Sequence, residues 1–410
     1  MSLDTALSGI NAAQDALNVT SNDLANVNTT GFRSGNQLFD DLYPAAAGSD
    51  TAGIGVAPSQ IERDFSQGGT NTTNSPLDLA IQGSGFFVVS QDGVQQYTRD
   101  GHFHLDPTTN QLMTANGGLV MGYASGATGS SANVGPLALK GTSEPATPTT
   151  QQAVQLSLNT GDPAIAGTIP FSIANASSFD ESTSVTAYDS LGNPNQVQLY
   201  FRQAAGTGSA TVPNAWQVYA NPVGANGTAT GAPSLLTTLT FDSAGALTGG
   251  GTASLPIPWG GGAGTSTVAF NFNGSTLANQ PFVVDAAAGN GFPPGSFQGA
   301  TVSSDGSIQA QYSNGQTSTV GHIALATFAN QQGLSPVSNN LFAETSTSGN
   351  AVVNTPGQGQ TGSLASGQLE TSNVDLSQQL VNLITEQQAY EANTKTISTS
   401  KQDTSALLQI

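Results

Sequence analysis

Ser372-Asn-Val-Asp-Leu-Ser-Gln-Gln-Leu-Val-Asn-Leu-Ile384, running on to Ile410, is the stretch on which the reading of this chain turns. Large or apolar residues recur there at Leu376, Leu380, Leu383, Tyr390, Ile397 and Leu408, in steps of three and four where the series is unbroken. That is the heptad spacing of a helix with one apolar seam. Gln387, Thr394, Lys401 and Thr404 fill the gaps in the series. Asp375 followed by Gln378 fits a capping box, so the spacing predicts a helix beginning there. A lone seam needs a partner.

The first thirty residues offer one. Leu3, Ile10, Leu17 and Leu24 are seven apart, with Leu7 at a matching position and Gln14 and Ser21 interleaved. Gly31 is the expected stop. Gly9 inside this helix costs ~1 kcal/mol relative to Ala. Isolated helices with polar interruptions in their seams are marginal in water. Both ends are therefore expected to order on association, the alternative being a helix pair within a stable monomer.

Composition narrows the classes. Of 410 residues only 8% are charged, with 26 acidic against 7 basic and a net charge of −19. Nucleic-acid binding needs clustered Lys and Arg, and anionic membrane surfaces need the same, so neither partner fits. No window is long and apolar enough for a membrane span. There is no cysteine, which removes disulfides, thiolate metal sites and Cys nucleophiles. The N-terminus lacks a basic n-region with an apolar core, so no cleaved secretory leader is expected.

Between the ends the chain reads as β. Residues 31–70 look like a connector with short extended pieces. Over 71–145, Gly85-Phe-Phe-Val-Val-Ser90 is a buried strand, and Asp92-Gly93, Asp100-Gly101 and Asn116-Gly117 are turns. Residues 146–284 carry short alternating strands at 154–158, 184–188, 197–201, 216–219 and 268–272, the pattern of an inserted sandwich or barrel. Residues 285–371 return to the earlier style, with turns at Asp305-Gly306 and Asn314-Gly315. The fold class is mainly β with terminal α-helices: a helical domain of 1–30 and 372–410, a discontinuous β domain of 71–145 and 285–371, and the insertion.

Catalytic patterns are weak. His102 and His104 share one strand face, and His322 could join them only by folding; no spacing matches a metal-ligand motif. Asp189-Ser-Leu-Gly-Asn193 lacks the alternating oxygens and terminal Glu of a calcium loop. Gly83-Ser84-Gly85 has no Lys after it and precedes a strand, unlike a phosphate loop. No catalytic residue, metal or cofactor is assigned, and the profile suits a structural subunit better than an enzyme.

Several separated motifs carry a resemblance. Ser21-Asn-Asp-Leu-Ala-Asn-Val-Asn-Thr-Thr-Gly-Phe-Arg33 resembles the N-terminal signature of the bacterial flagellar rod and hook axial family, through Asn22, Ala25, Asn26, Thr29, Gly31 and Phe32. Ser372, Asn373, Val374, Asp375 and Leu376, with Gln387-Gln-Ala-Tyr-Glu-Ala-Asn393, resemble its C-terminal signature. Leu77 to Phe87 and Tyr97-Thr-Arg-Asp-Gly101 are similar to the shared first β domain. The large insertion points to the hook branch; the shorter distal rod branch is the nearest alternative, and a secreted β-rich adhesin is one from another class.

The resemblance implies a homo-oligomeric helical tube, bending as a universal joint and enclosing an export channel. It implies partners in a distal rod protein, a hook cap protein, a hook–filament junction protein and the flagellar type III export apparatus. It implies an extracellular hook location, reached without a cleaved signal peptide. The apolar series of both ends would be the polymerisation seams. Gln378, Asn382, Thr385, Ser398 and Gln402 are candidates to face the channel.

Overall fold

A computed structural model of the chain describes residues 3–43, 53–126, 134–139, 143–204, 214–224 and 227–407. The chain divides into two compact units, one of Met1–Gly141, Gln298–Gln311 and Thr317–Ile410, the other of Thr142–Phe297 and Tyr312–Gln316. The terminal helices fall in the same unit as the first β region rather than apart from it.

Helix α1 spans Leu3–Ala25 and helix α2 spans Leu376–Leu407. α1 stops six residues before Gly31. The reason is local: Asn26 donates its side-chain amide to the Asn22 carbonyl, and its N–H is shared between the carbonyls of Asn22 and Asp23. Such side-chain bonds compete with the helical ladder. At α2, the Asp375 carboxylate accepts from the N–H of Ser377 at 2.8 Å and of Gln378 at 3.2 Å. It is the N-cap, but the reciprocal half of the box is not made: Gln378 instead donates to Asn382.

The expected connector is a long antiparallel ribbon, β1 (Gly35–Leu42) with β2 (Gly55–Arg63), lying along α1. Beyond it, the inner β region is built on the hairpin Phe86–Gln91 and Val94–Thr98, turned at Asp92-Gly93 with φ of 52° and 82°. Positive φ at both central residues matches the twist of the two strands. Leu119–Ala124 and Leu325–Thr327 pair with the first of these strands, and Leu341–Ala343 with the second. One face packs Phe86, Val88, Tyr97, Tyr123, Phe328 and Phe342 together, with Phe65 edge-on to two of the rings. Gly101 must remain Gly, since a Cβ there would lie 1.7 Å from the Leu79 carbonyl oxygen.

The second unit is a sandwich. One sheet holds Gln151–Asn159, Thr252–Gly260, Ala263–Asn271, Thr276–Ala278 and Val283–Gly289; the other is the meander Glu181–Tyr188, Pro194–Gln203, Ala215–Val223, Ser234–Phe241 and Leu247–Gly249. Alternating inward residues, among them Val197, Leu199, Phe201, Trp216, Val268 and Phe270, form one core between them.

Candidate assembly surface at the chain ends

The two chain ends meet, and the contact is built from small residues. α1 and α2 run antiparallel, because Gly9 faces Asn393 while Thr20 donates to Glu386 Oε1 at 2.9 Å. The α1 side of this seam is Ala6, Gly9, Ala13, Ala16 and Thr20, spaced three and four apart. The α2 side is Gln379, Asn382, Leu383, Glu386, Asn393 and Ile397. This differs from the Leu/Ile pairing read from the heptads. At 3.6 residues per turn, Leu7 and Ile10 point ~140° and ~80° away from the Ala6–Thr20 line, while Leu17 and Leu24, ~60° and ~40° away, flank it. Leu7 is exposed, and Ile10, Leu17 and Leu24 are half-buried. The side chain of Leu3 and all of Leu408 lie outside the described residues.

On α2 the same offset holds. Leu376, Leu380 and Tyr390 are exposed, while Leu383 and Ile397 are half-buried toward α1. Val381 and Ile384 extend the exposed apolar surface on the side away from α1. Phe39, Leu42, Tyr43, Ile54 and Ile61 of the β1–β2 ribbon are exposed as well. The five polar candidates do not share a face. Gln378, Asn382 and Thr385 stand on one side, whereas Ser398 and Gln402 lie ~200° and ~240° around from Gln378. Asn382 lines a cavity against Ala16 and Val19 of α1.

Below the helices a buried ionic clasp joins the ends. Glu370 accepts from Arg33 Nη2 at 2.7 Å and from Arg99 Nη1 at 3.2 Å, and its Oε1 also accepts from the Gly68 N–H at 3.0 Å. The side chains of Arg33 and Glu370 are fully buried. Burial pushes Arg99 down to about 10, against the pull of Glu370 and with the push of Arg33. Its guanidinium lies over the Phe86 ring and donates to the Gly83 carbonyl.

The motif residues form the rest of this joint. The Gly31 N–H donates to the Glu370 carbonyl, and Gly31 sits at φ 67° where a Cβ would strike the Arg99–Asp100 peptide. Thr29 donates to Asn26 Oδ1, and Phe32 is buried. Asn373 accepts from the Ser34 N–H and donates to the Asp64 carbonyl. Ser372 Oγ accepts from the N–H of buried Val374. Asn22 and Ala25 are exposed at the end of α1. Sequence reasoning quoted Arg33 and Arg99 inside motifs without giving them a role, and it did not single out Glu370. The available signal was scarcity: a chain with 7 basic residues places two of them beside apolar stretches.

Asp23 completes the joint. Its carboxylate accepts from the Gly35 N–H at 2.9 Å, and burial raises it from 3.8 to about 6 despite that bond and the nearby Arg63. Burial raises Glu386 too, opposed by Thr20. Elsewhere, His102 and His104 are exposed, and His322 lies on the strand Thr317–Ile323. Among the described residues no group of three or more His, Asp or Glu is arranged to hold a metal ion.

Family comparisons follow this layout along the chain. Residues 3–33 match the flagella basal body rod protein model, 80–159 the flagellar hook protein FlgE/F/G D1 domain, 155–292 the flagellar basal body protein FlaE D2 domain, and 365–410 the flagellar basal body rod FlgEFG protein C-terminal model. Rod-type signatures at two paired ends, with β units between them, define an axial protein of the bacterial flagellum. Flagellar hook protein FlgE of Salmonella typhimurium is 38% identical over 421 residues, covering 100% of both chains. The Escherichia coli hook protein FlgE is 37% identical over 423 residues with the same coverage, and that of Treponema pallidum 31% over 460 residues, covering 97% of each. The chain belongs to the flagellar hook protein FlgE family, and it is a structural subunit of the flagellar hook. Helicobacter pylori flagellar hook protein FlgE2 shares the fold, with a TM-score of 0.52 over 73% of this chain and 100% of that one, at 17% identity.

Proposed function

We propose that this hook subunit polymerises through its terminal helices into a flexible helical tube, a universal joint that passes torque from rod to filament and encloses an export channel. One observation carries the reading. On the side of α2 away from α1, Val381 is 57% and Ile384 53% exposed, beside exposed Leu380. The apolar series Leu7, Ile10, Leu17 and Leu24 of α1 is likewise not the intrachain seam. Apolar helix faces left open within one chain are completed by other chains.

The roles divide by chemistry. Apolar helix faces (1–30 and 372–410) supply firm contacts at about 25 cal/mol per Å² of apolar area buried. The inner β region and the inserted sandwich present Ser, Thr, Asn, Gln and Gly surfaces, whose contacts are weak, water-bridged and exchangeable on bending. The partners are the distal rod protein below, a hook cap during growth, a hook–filament junction protein above and the type III export apparatus. Export proceeds without a cleaved signal peptide, and the subunit has no catalytic role. Ser398 and Gln402, on the α2 side opposite α1, are the better placed of the polar candidates to line the channel.

Electron microscopy of purified protein under polymerising conditions tests this. Curved tubes are expected from the full chain and none after deletion of residues 372–410. Tubes from the deleted chain would refute the role given to the helices.

A further inference from the structure

Asn-Gly occurs five times in the chain, at 116–117, 226–227, 273–274, 290–291 and 314–315. Such a pair carries a reaction of its own, because glycine has no Cβ to shield its amide nitrogen. That nitrogen, once its proton has gone to solvent hydroxide, attacks Cγ of the asparagine. The new N–Cγ bond closes a succinimide ring, the Cγ–Nδ2 bond breaks, and the side-chain nitrogen takes up a proton and leaves as ammonia. Water then opens the ring at either carbonyl, leaving aspartate or isoaspartate. The reaction needs water alone as co-reactant. A hydrogen bond from the glycine N–H opposes it by holding the proton, and hydrogen bonds to the asparagine amide oppose it by holding Cγ in place.

The fold restrains four of these pairs. The Gly117 N–H donates to the Thr114 carbonyl at 3.0 Å, and the Gly227 N–H to the Gly224 carbonyl at 2.9 Å. The Gly315 N–H donates to the Tyr312 carbonyl, while the Asn314 amide donates to the Pro293 carbonyl and accepts from the Gln316 N–H. The Asn290 amide accepts from the N–H groups of Thr150 and Gln151 and donates to Thr150 Oγ1. At Asn273-Gly274 both residues are exposed, and neither the Asn273 amide nor the Gly274 N–H has a hydrogen-bond partner among the described residues. Only the Asn273 backbone N–H is engaged, by Asn271 Oδ1 at 3.0 Å.

We propose that Asn273 is a self-modification site, selected by the fold among the Asn-Gly pairs, and that its conversion to aspartate and isoaspartate loosens the sandwich unit as the protein ages. The turn has a structural task. The strand Gln151–Asn159 runs beside Ala263–Asn271 over residues 151–153 and beside Thr276–Ala278 over residues 157–159. Asn273 to Ser275 bridges the gap between those two neighbours. Ser275 is buried, and its Oγ accepts from the N–H of buried Leu156 at 3.2 Å. The Ser275 N–H closes the turn on the Phe272 carbonyl at 3.0 Å. Isoaspartate adds a methylene to the main chain just before Gly274 and a charge beside it. The lengthened turn shifts Ser275, and the Leu156 donor loses its partner in a buried place.

The test ages the full-length, unassembled chain at mildly alkaline pH and maps its peptides by mass spectrometry, with fragmentation that separates aspartate from isoaspartate. In the folded protein, the gain of one mass unit at Asn273 should outpace that at the other four asparagines by roughly tenfold, the weight of about one hydrogen bond. In urea, where no fold restrains any pair, all five should react at similar rates. Equal rates in the folded chain, or a lead at Asn273 that persists in urea, would overturn the selection by the fold. Calorimetry reads the consequence. The sandwich transition of the aged parent should fall as the product accumulates, while Asn273→Ser, which has no carboxamide to cyclise, should hold its melting point through the same treatment. A parent whose sandwich melts unchanged after conversion, or an equal fall in Asn273→Ser, would refute the loosening.

Discussion

Replacing Glu370 with Gln tests the joint between the chain ends. The substitution keeps shape and one acceptor oxygen but removes the negative charge that Arg33 and Arg99 share, at 2.7 Å and 3.2 Å. Two guanidiniums then remain buried without a counter-charge. Breaking a buried ion pair in this way costs about 3–5 kcal/mol, mostly the penalty of the stranded charge. For a unit of this size each kcal/mol moves the midpoint by roughly 2–4 °C, so the inner unit should melt on the order of 10 °C lower. The sandwich unit has its own core and its transition should not move. Calorimetry of the unassembled protein reads both transitions. Arg33→Met provides the internal comparison: it leaves the Glu370–Arg99 pair balanced, and should cost less than Glu370→Gln although it removes the shorter bond. A Glu370→Gln protein melting within 2 °C of the parent (under ~1 kcal/mol), or one less perturbed than Arg33→Met, would show that the clasp contributes no such stability.

Three further outcomes follow from the same geometry. Asp23 holds its proton more tightly folded, near 6, than unfolded, near 3.8. Its contribution to α1 docking is thus full below ~4 and is lost as pH rises through 6, an upper bound on the order of 3 kcal/mol. Amide exchange in α1 should be slower at pH 4.5 than at 7.5 after correction for intrinsic rates, and Asp23→Asn should flatten that difference. Gly9→Leu places a Cβ 2.8 Å from Asn393 Nδ2; it should part the helices at a cost of about 1–3 kcal/mol, seen as protease cleavage within α2. Asp375→Ala removes the cap on Ser377 and Gln378, and should lower the stability of α2 by about 1 kcal/mol, visible as faster exchange in its first turn.

The β architecture was legible because its signals are local. Asp92-Gly93, Asn116-Gly117 and Asn314-Gly315 each place a positive-φ Gly in a turn between strands, and a turn fixes its neighbours' pairing. The ribbon was missed as a ribbon because β1 and β2 are mostly exposed on both faces, so no alternation marks them. The clasp was not legible for the opposite reason. Arg33 and Glu370 are 337 residues apart, and no local pattern says which acid a buried Arg will meet. The chain-end motifs foretold that the ends matter, but not that Gly31, Asn373 and Glu370 meet at one joint.

The helices show where periodicity stops informing. α1 carries two stripes at helical spacing, Leu7–Ile10–Leu17–Leu24 and Ala6–Gly9–Ala13–Ala16–Thr20. Hydrophobic spacing ranks the first as the seam, yet the fold uses the second. The choice is physically sensible for a chain that must both fold and assemble. Small residues let two helix backbones approach closely while burying little apolar area, so the intrachain pair is weak and its Leu and Ile remain available. Burying the Leu stripe against α2 would have satisfied the monomer, at roughly 1.5–3 kcal/mol for each fully buried side chain, and closed the surface proposed above for contacts between subunits. A chain whose apolar heptad is half-open in isolation therefore points to its neighbours more strongly than the heptad alone does.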